Sequence, residues 1–124
     1  DLLNMVSKQN PEKKGIDDNV FISEGVEIPE DSYIGAFAYI GKGVKLGRCV
    51  KIYPQSYIGD NVTIGDNTII NTCAVIEREC TIGKHSHISV NATIAGRCKI
   101  GDFVFVGAGA VIKDKISPPE ARAL

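Results

Sequence analysis

The stretch Ala74 to Ser89, AVIERECTIGKHSHIS, gathers Glu77, Arg78, Glu79, Cys80, His85 and His87, including both histidines of the chain. Such a set fits an active site, the remains of one, or a solvated edge. Each residue type limits the chemistry. Arginine stays protonated in proteins and cannot serve as a general base. His85 and His87 make a poor metal pair, because no further ligand stands at a suitable spacing. The four cysteines, Cys49, Cys73, Cys80 and Cys98, contain no CxxC pair, so neither zinc nor any other metal is expected. What the set can do depends on where each side chain points, and that is set by the elements carrying it.

Those elements follow a repeat. Stepping by six from Ile16 gives Ile22, Ile28, Ile34, Ile40, Leu46, Ile52 and so on to Val106 and Ile112, every position a branched aliphatic. A helix needs a period near 3.6 and a plain strand a period of two, so neither explains a strict six. The residue two before each aliphatic is usually small or β-branched, as in Val50, Ser56, Val62, Thr68, Ala74 and Cys80. A spacing of two puts both on one face of a short strand. Glycine often follows the aliphatic (Gly35, Gly41, Gly47, Gly59, Gly65, Gly83, Gly101, Gly107), which suggests a tightly turned corner. A short strand and a corner cannot bury an apolar face alone, so successive turns must stack into a parallel β-solenoid.

The solenoid is expected over residues 15–113. Residues 1–14, which contain DLLNMVSKQNP, leave the repeat and read as a linker or cap with a short helix ended by Pro11. Residues 114–124 leave it again, through two prolines and an EARAL segment of helical composition, and read as a second cap. The start at Asp1 without methionine suggests a fragment. The chain has 124 residues and a formal net charge of -1, which gives no support for nucleic-acid or membrane-surface binding. No apolar run approaches a membrane span, and a cytoplasmic chain with free thiols is expected.

Residues eighteen apart should stack on neighbouring coils, and the residue before each aliphatic should point outward. One outer column, Glu27, Lys45, Thr63, Thr81 and Lys99, looks solvated. A second, Phe21, Tyr39, Tyr57, Val75, Thr93 and Val111, is apolar for a surface. The third, Tyr33, Lys51, Ile69, His87 and Phe105, is mixed. A contiguous apolar outer face suggests self-association. In the same register Arg78 lies at a corner between Asp60 and Gly96, and Glu79 between Asn61 and Arg97. Cross-coil ion pairs Asp60–Arg78 and Glu79–Arg97 are the structural reading, worth about 0–1 kcal/mol each. Cys80 stacks under Cys98 in the core, where parallel side chains disfavour a disulfide. His85 is a corner residue. His87 points outward, either packing or touching a ligand.

The repeat resembles the hexapeptide-repeat acyltransferases. That resemblance implies an all-β, single-stranded left-handed parallel β-helix of about five coils, and a homotrimer with acyl-donor sites in the clefts between subunits. Residues 1–69, through YIGAFAYIGKGVKLGRCVKIYPQSYIGDNVTIGDNT, resemble the UDP-3-O-acylglucosamine N-acyltransferase of lipid A biosynthesis. Residues 70–113, through IINTCAVIERECTIGKHSHISVNATIAGRCKIGDFVFVGAGAVIKD, look like the amino-sugar and sialic-acid acetyltransferases. A chimera joined near Asp66 to Asn71 is one reading. In these families the ERECTIG segment carries a catalytic histidine followed by an acidic residue; the matching positions are Arg78 and Glu79. The second histidine, which contacts the donor, matches His87. The backbone N–H for the thioester oxygen matches Gly96, and the pantetheine arm passes the coil matching GAGA, including Gly107 and Ala108. The resemblance thus implies acetyl-CoA or an acyl carrier protein as donor and a nucleotide amino sugar as acceptor. Losing the general base costs about 10²–10⁴-fold, so weak or absent turnover is expected. The competing reading is a truncated, engineered or chimeric β-helix trimer with a purely structural role. An ice-binding surface would need a regular threonine column, and Thr63 with Thr81 does not make one.

Overall fold

A computed structural model describes residues 13–113. The expected helices and caps within residues 1–12 and 114–124 lie outside the described residues. Every strand is two residues long, an outer residue followed by an inner one, and the strands recur every sixth position from Gly15 to Ile112, except at Glu27–Ile28. All pairings are parallel, and partners are eighteen residues apart, as in Tyr33↔Lys51 and His87↔Phe105. The chain therefore climbs as a three-sided prism of about five coils, the left-handed parallel β-helix expected from the repeat.

Three sheets form the sides. The first contains Gly15–Ile16, Tyr33–Ile34, Lys51–Ile52, Ile69–Ile70, His87–Ile88 and Phe105–Val106. The second contains Phe21–Ile22, Tyr39–Ile40, Tyr57–Ile58, Val75–Ile76, Thr93–Ile94 and Val111–Ile112. The third contains Lys45–Leu46, Thr63–Ile64, Thr81–Ile82 and Lys99–Ile100. The core is a column of the aliphatics met in the sequence, with Ile52, Ile58, Ile70, Ile76, Ile88 and Ile94 fully buried. The small inward residues fill the corners. Ser56, Thr68 and Ser86 are buried there because their hydroxyls donate to the carbonyls of Asn71, Gly83 and Gly101 at 2.9, 2.6 and 2.9 Å.

The corners differ from the expectation in one respect. The residue that takes positive φ is the third after each aliphatic from Ile16 to Val106 except Ile28, not the glycine directly following it. Twelve non-glycine residues adopt this left-handed conformation, among them Phe37, Asn61, Cys73, Glu79, His85, Arg97 and Phe103, with φ between 54° and 64°. Each costs about 1–2 kcal/mol, least for asparagine. One buried isoleucine per hexapeptide offsets this with about 1.5–3 kcal/mol. The corner N–H also gains a partner, as when Glu79 N–H donates to Asp60 O at 2.8 Å and Arg97 N–H to Arg78 O at 2.9 Å. The glycines serve a different purpose. A Cβ on Gly65 would stand 2.8 Å from Gly83 C and Lys84 N, and one on Gly59 would stand 2.8 Å from Arg78 N. Glycine follows the aliphatic because the next coil passes directly over it.

The third sheet begins one coil late. In register, residue 29 should donate to Leu46 O, but Pro29 has no N–H. Glu27 and Ile28 stay unpaired with Lys45 and Leu46. A groove of about 420 Å³ opens between Gly25–Pro29 and Gly43–Leu46. It lies at the first coils, away from the residues of AVIERECTIGKHSHIS.

Candidate functional site

Arg78 and Glu79 form the corner between Val75–Ile76 of the second sheet and Thr81–Ile82 of the third. Both are exposed, and Gly96 and Arg97 form the corner above them. The expected Glu79–Arg97 pair is present, with Arg97 Nε donating to Glu79 Oε1 at 2.9 Å. Both side chains are well exposed, so the pair contributes at most about 1 kcal/mol. Asp60 Oδ1 accepts the backbone N–H of Lys42 at 3.0 Å. The same capping recurs at Asp66 on Arg48 N–H and Asp102 on Lys84 N–H. Gly96 is the roomy glycine of this corner: a Cβ there would meet nothing nearer than Arg78 O at 3.6 Å. Beneath the corner, Cys80 is buried and its thiol donates to Ala95 O at 3.0 Å. Burial pushes that thiol up from its ordinary value. Cys80 and Cys98 are not bonded to each other.

His87 stands on the first sheet, between Ile69 below and Phe105 above. Its ring meets Phe105 edge-on, with centroids 5.2 Å apart and planes at 76°. It is half-buried, and burial lowers its pKa, favouring the neutral imidazole. Its Nε2 lies 3.2 Å from Asn71 Nδ2. His85 is the exposed corner residue expected, stacked on Phe103 at 5.0 Å with planes 6° apart. Gly107 and Ala108 lie on the corner between the first and second sheets, in the uppermost described coil.

The sequence-derived residues therefore fall into two groups. Arg78, Glu79 and Gly96 share the edge between the second and third sheets. His87, with Gly107 and Ala108 at its margin, belongs to the first sheet, the side of the prism opposite that edge. One chain does not bring the two groups together. Sequence reasoning passed over Asn71, although a signal was present: it follows Ile70 at a position where Gly35 and Gly107 stand in the same column.

Comparison with known proteins agrees with this architecture. The profile of the GMPPB C-terminal domain matches residues 16–96, running across the junction near Asp66 to Asn71. That of the bacterial transferase hexapeptide (six repeats) matches residues 79–114. No curated protein sequence matches. Among solved structures, the acetyltransferase domain of PglB from Neisseria gonorrhoeae superposes with a TM-score of 0.81 at 21% identity, over 99% of this chain and 64% of that one. The same domain in complex with acetyl coenzyme A gives 0.81 at 22% identity, over 94% of this chain and 58% of that one. A variant of perosamine N-acetyltransferase from Caulobacter crescentus, in complex with CoA and GDP-perosamine, gives 0.58 at 16% identity, over 94% and 56%. The chain thus spans less than two thirds of the length of these relatives. Repeat, fold and profile converge: the chain belongs to the GMPPB C-terminal domain family, within the hexapeptide-repeat transferases.

Proposed function

We propose that the chain is an acyl-transfer module whose site forms only between copies. The observation that carries this reading is the division of the candidate residues between one edge of the prism and the opposite side. In a homotrimer, the Arg78–Glu79–Gly96 edge of one copy faces the His87 side of the next. The donor is a thioester of coenzyme A or of an acyl carrier protein. It lies along His87, Gly96, Gly107 and Ala108. The acceptor is the amine of a nucleotide amino sugar, of the kind used in lipid A or sialic-acid chemistry, in the cytoplasm. Its nitrogen attacks the thioester carbonyl, the C–S bond breaks, and the amine proton needs an acceptor. Arg78 cannot take that proton, and Glu79 Oε1 is already engaged by Arg97. Turnover is therefore weak.

Titration of acetyl-CoA by calorimetry, with mass by light scattering on the same sample, tests this. A trimer binding at micromolar strength supports the donor site. In that trimer, Arg78→His raises turnover by about 10²–10⁴-fold. A trimer without binding sinks the donor assignments of His87 and Gly96. A monomer removes the composite site altogether.

The ion pair that occupies Glu79 also favours a second reading, a β-helix kept or built for assembly alone, chimeric or truncated. It predicts a trimer that Arg78→His leaves inactive.

A further inference from the structure

We infer that Asn71 is a positioning residue for His87, holding its imidazole with the ring proton on Nδ1. The assignment starts from the amide of Asn71. Its Oδ1 accepts the backbone N–H of Thr72 at 2.8 Å, and the Thr72 hydroxyl approaches the same oxygen at 3.4 Å. Two donors on one oxygen fix which end of the amide is nitrogen. The Nδ2 group, which only donates, faces His87 Nε2 at 3.2 Å. Nε2 must therefore accept, and in a neutral ring the proton sits on Nδ1. Phe105, edge-on at 5.2 Å, and the half-buried setting hold the ring in this orientation.

The consequence concerns the chemistry proposed above, on which this inference rests. With its Nε2 lone pair taken by Asn71, His87 is not a substitute base for the histidine that Arg78 replaces. It offers an N–H donor instead, suited to the carbonyl oxygen of an acyl thioester. Asn71 thereby makes His87 an electrophilic contact.

The test is long-range proton–nitrogen correlation spectroscopy of the ¹⁵N-labelled full chain at neutral pH. The chain has two histidines, so His85→Gln assigns the spectrum. The expected result is an unprotonated Nε2 and a protonated Nδ1 for His87. Asn71→Asp turns the donor into an acceptor, so the proton should move to Nε2. Asn71→Ala should give a mixture of both tautomers. A wild-type His87 protonated on Nε2 overturns the inference without any variant. So does an Asn71→Asp protein, folded by its unchanged His85 signals, that keeps the wild-type tautomer. Acetyl-CoA titration separates the two claims. If the tautomer is as expected but the trimer binds no acetyl-CoA, the donor reading falls and the Asn71 assignment stands. If acetyl-CoA binds, Asn71→Asp should weaken it at least about tenfold while Asn71→Gln restores part of the loss; unchanged binding in Asn71→Asp overturns the proposed role.

Discussion

Gly65→Ala and Gly96→Ala should have opposite effects on stability, although both replace a corner glycine of negative φ. The argument turns on what lies above each. At Gly65 a new Cβ would stand 2.8 Å from Gly83 C, 2.8 Å from Lys84 N and 3.1 Å from Lys84 Cα. All three are backbone atoms, and none swings aside as a side chain does. Relief requires prising two coils apart, which lengthens the bond from Gly65 N–H to Ile82 O, now 2.8 Å, and its neighbours. Overpacking costs typically about 1–3 kcal/mol. A weakened coil-to-coil hydrogen bond adds about 0.5–1.5 kcal/mol. We expect a loss of roughly 2–4 kcal/mol for Gly65→Ala. At Gly96 the nearest atoms to the new Cβ lie at 3.6 and 3.7 Å, ordinary contact distances. Alanine there restricts the unfolded chain, and a gain of about 0.4–1 kcal/mol follows. Urea titration followed by circular dichroism reads both. Equal midpoints for Gly65→Ala and wild type would refute the claim that coil stacking selects these glycines. A Gly96→Ala loss comparable to that of Gly65→Ala would refute it equally.

Two further outcomes follow from the same structure. At the positive-φ corner position, Gln55→Asn should gain about 0.5–1 kcal/mol and Asn67→Ala should lose about 1 kcal/mol, because asparagine tolerates the left-handed region; matched signs in urea titrations would show that corner conformation does not set the effect. Burial lowers the His87 pKa below its ordinary value near 6.5, so the unfolded chain binds a proton there first. Stability should therefore fall as pH drops through about 6.5, and His87→Gln should flatten that part of the profile; a wild-type slope retained in His87→Gln counts against it.

The fold was legible because its cause is periodic. Each isoleucine at the sixth position is there to be buried, and the eighteen-residue register follows once three such positions close a coil. The ends of the chemistry were harder to read. The glycines announced corners, but composition alone does not separate a glycine kept for φ from one kept for a close approach. Only the stacking of Gly65 under Lys84 does that. Glu79–Arg97 was readable from spacing because it joins equivalent corners of adjacent coils. The role of Asp60 was not, because its carboxylate accepts the backbone N–H of Lys42 rather than pairing with the Arg78 of the next coil. Asn71 was missed because its partner, His87, lies sixteen residues on rather than in the same column.

That offset matters for how such a solenoid acquires chemistry. Residues in one column repeat the same environment, so a column by itself makes a surface, such as the Phe21–Tyr39–Tyr57 stack with ring centroids 4.9 and 5.0 Å apart. A site needs residues that leave the column. Asn71 does so from the position after Ile70, where Gly35 and Gly107 stand in the same column, so that its amide reaches the outer residue of the next coil. Arg78 and Glu79 stay in their corner columns, on the edge opposite the first sheet. A single prism presents these groups to different sides of the solvent. In the trimer we propose, two copies set edge to side would place them across one cleft, each chain supplying one half of the site.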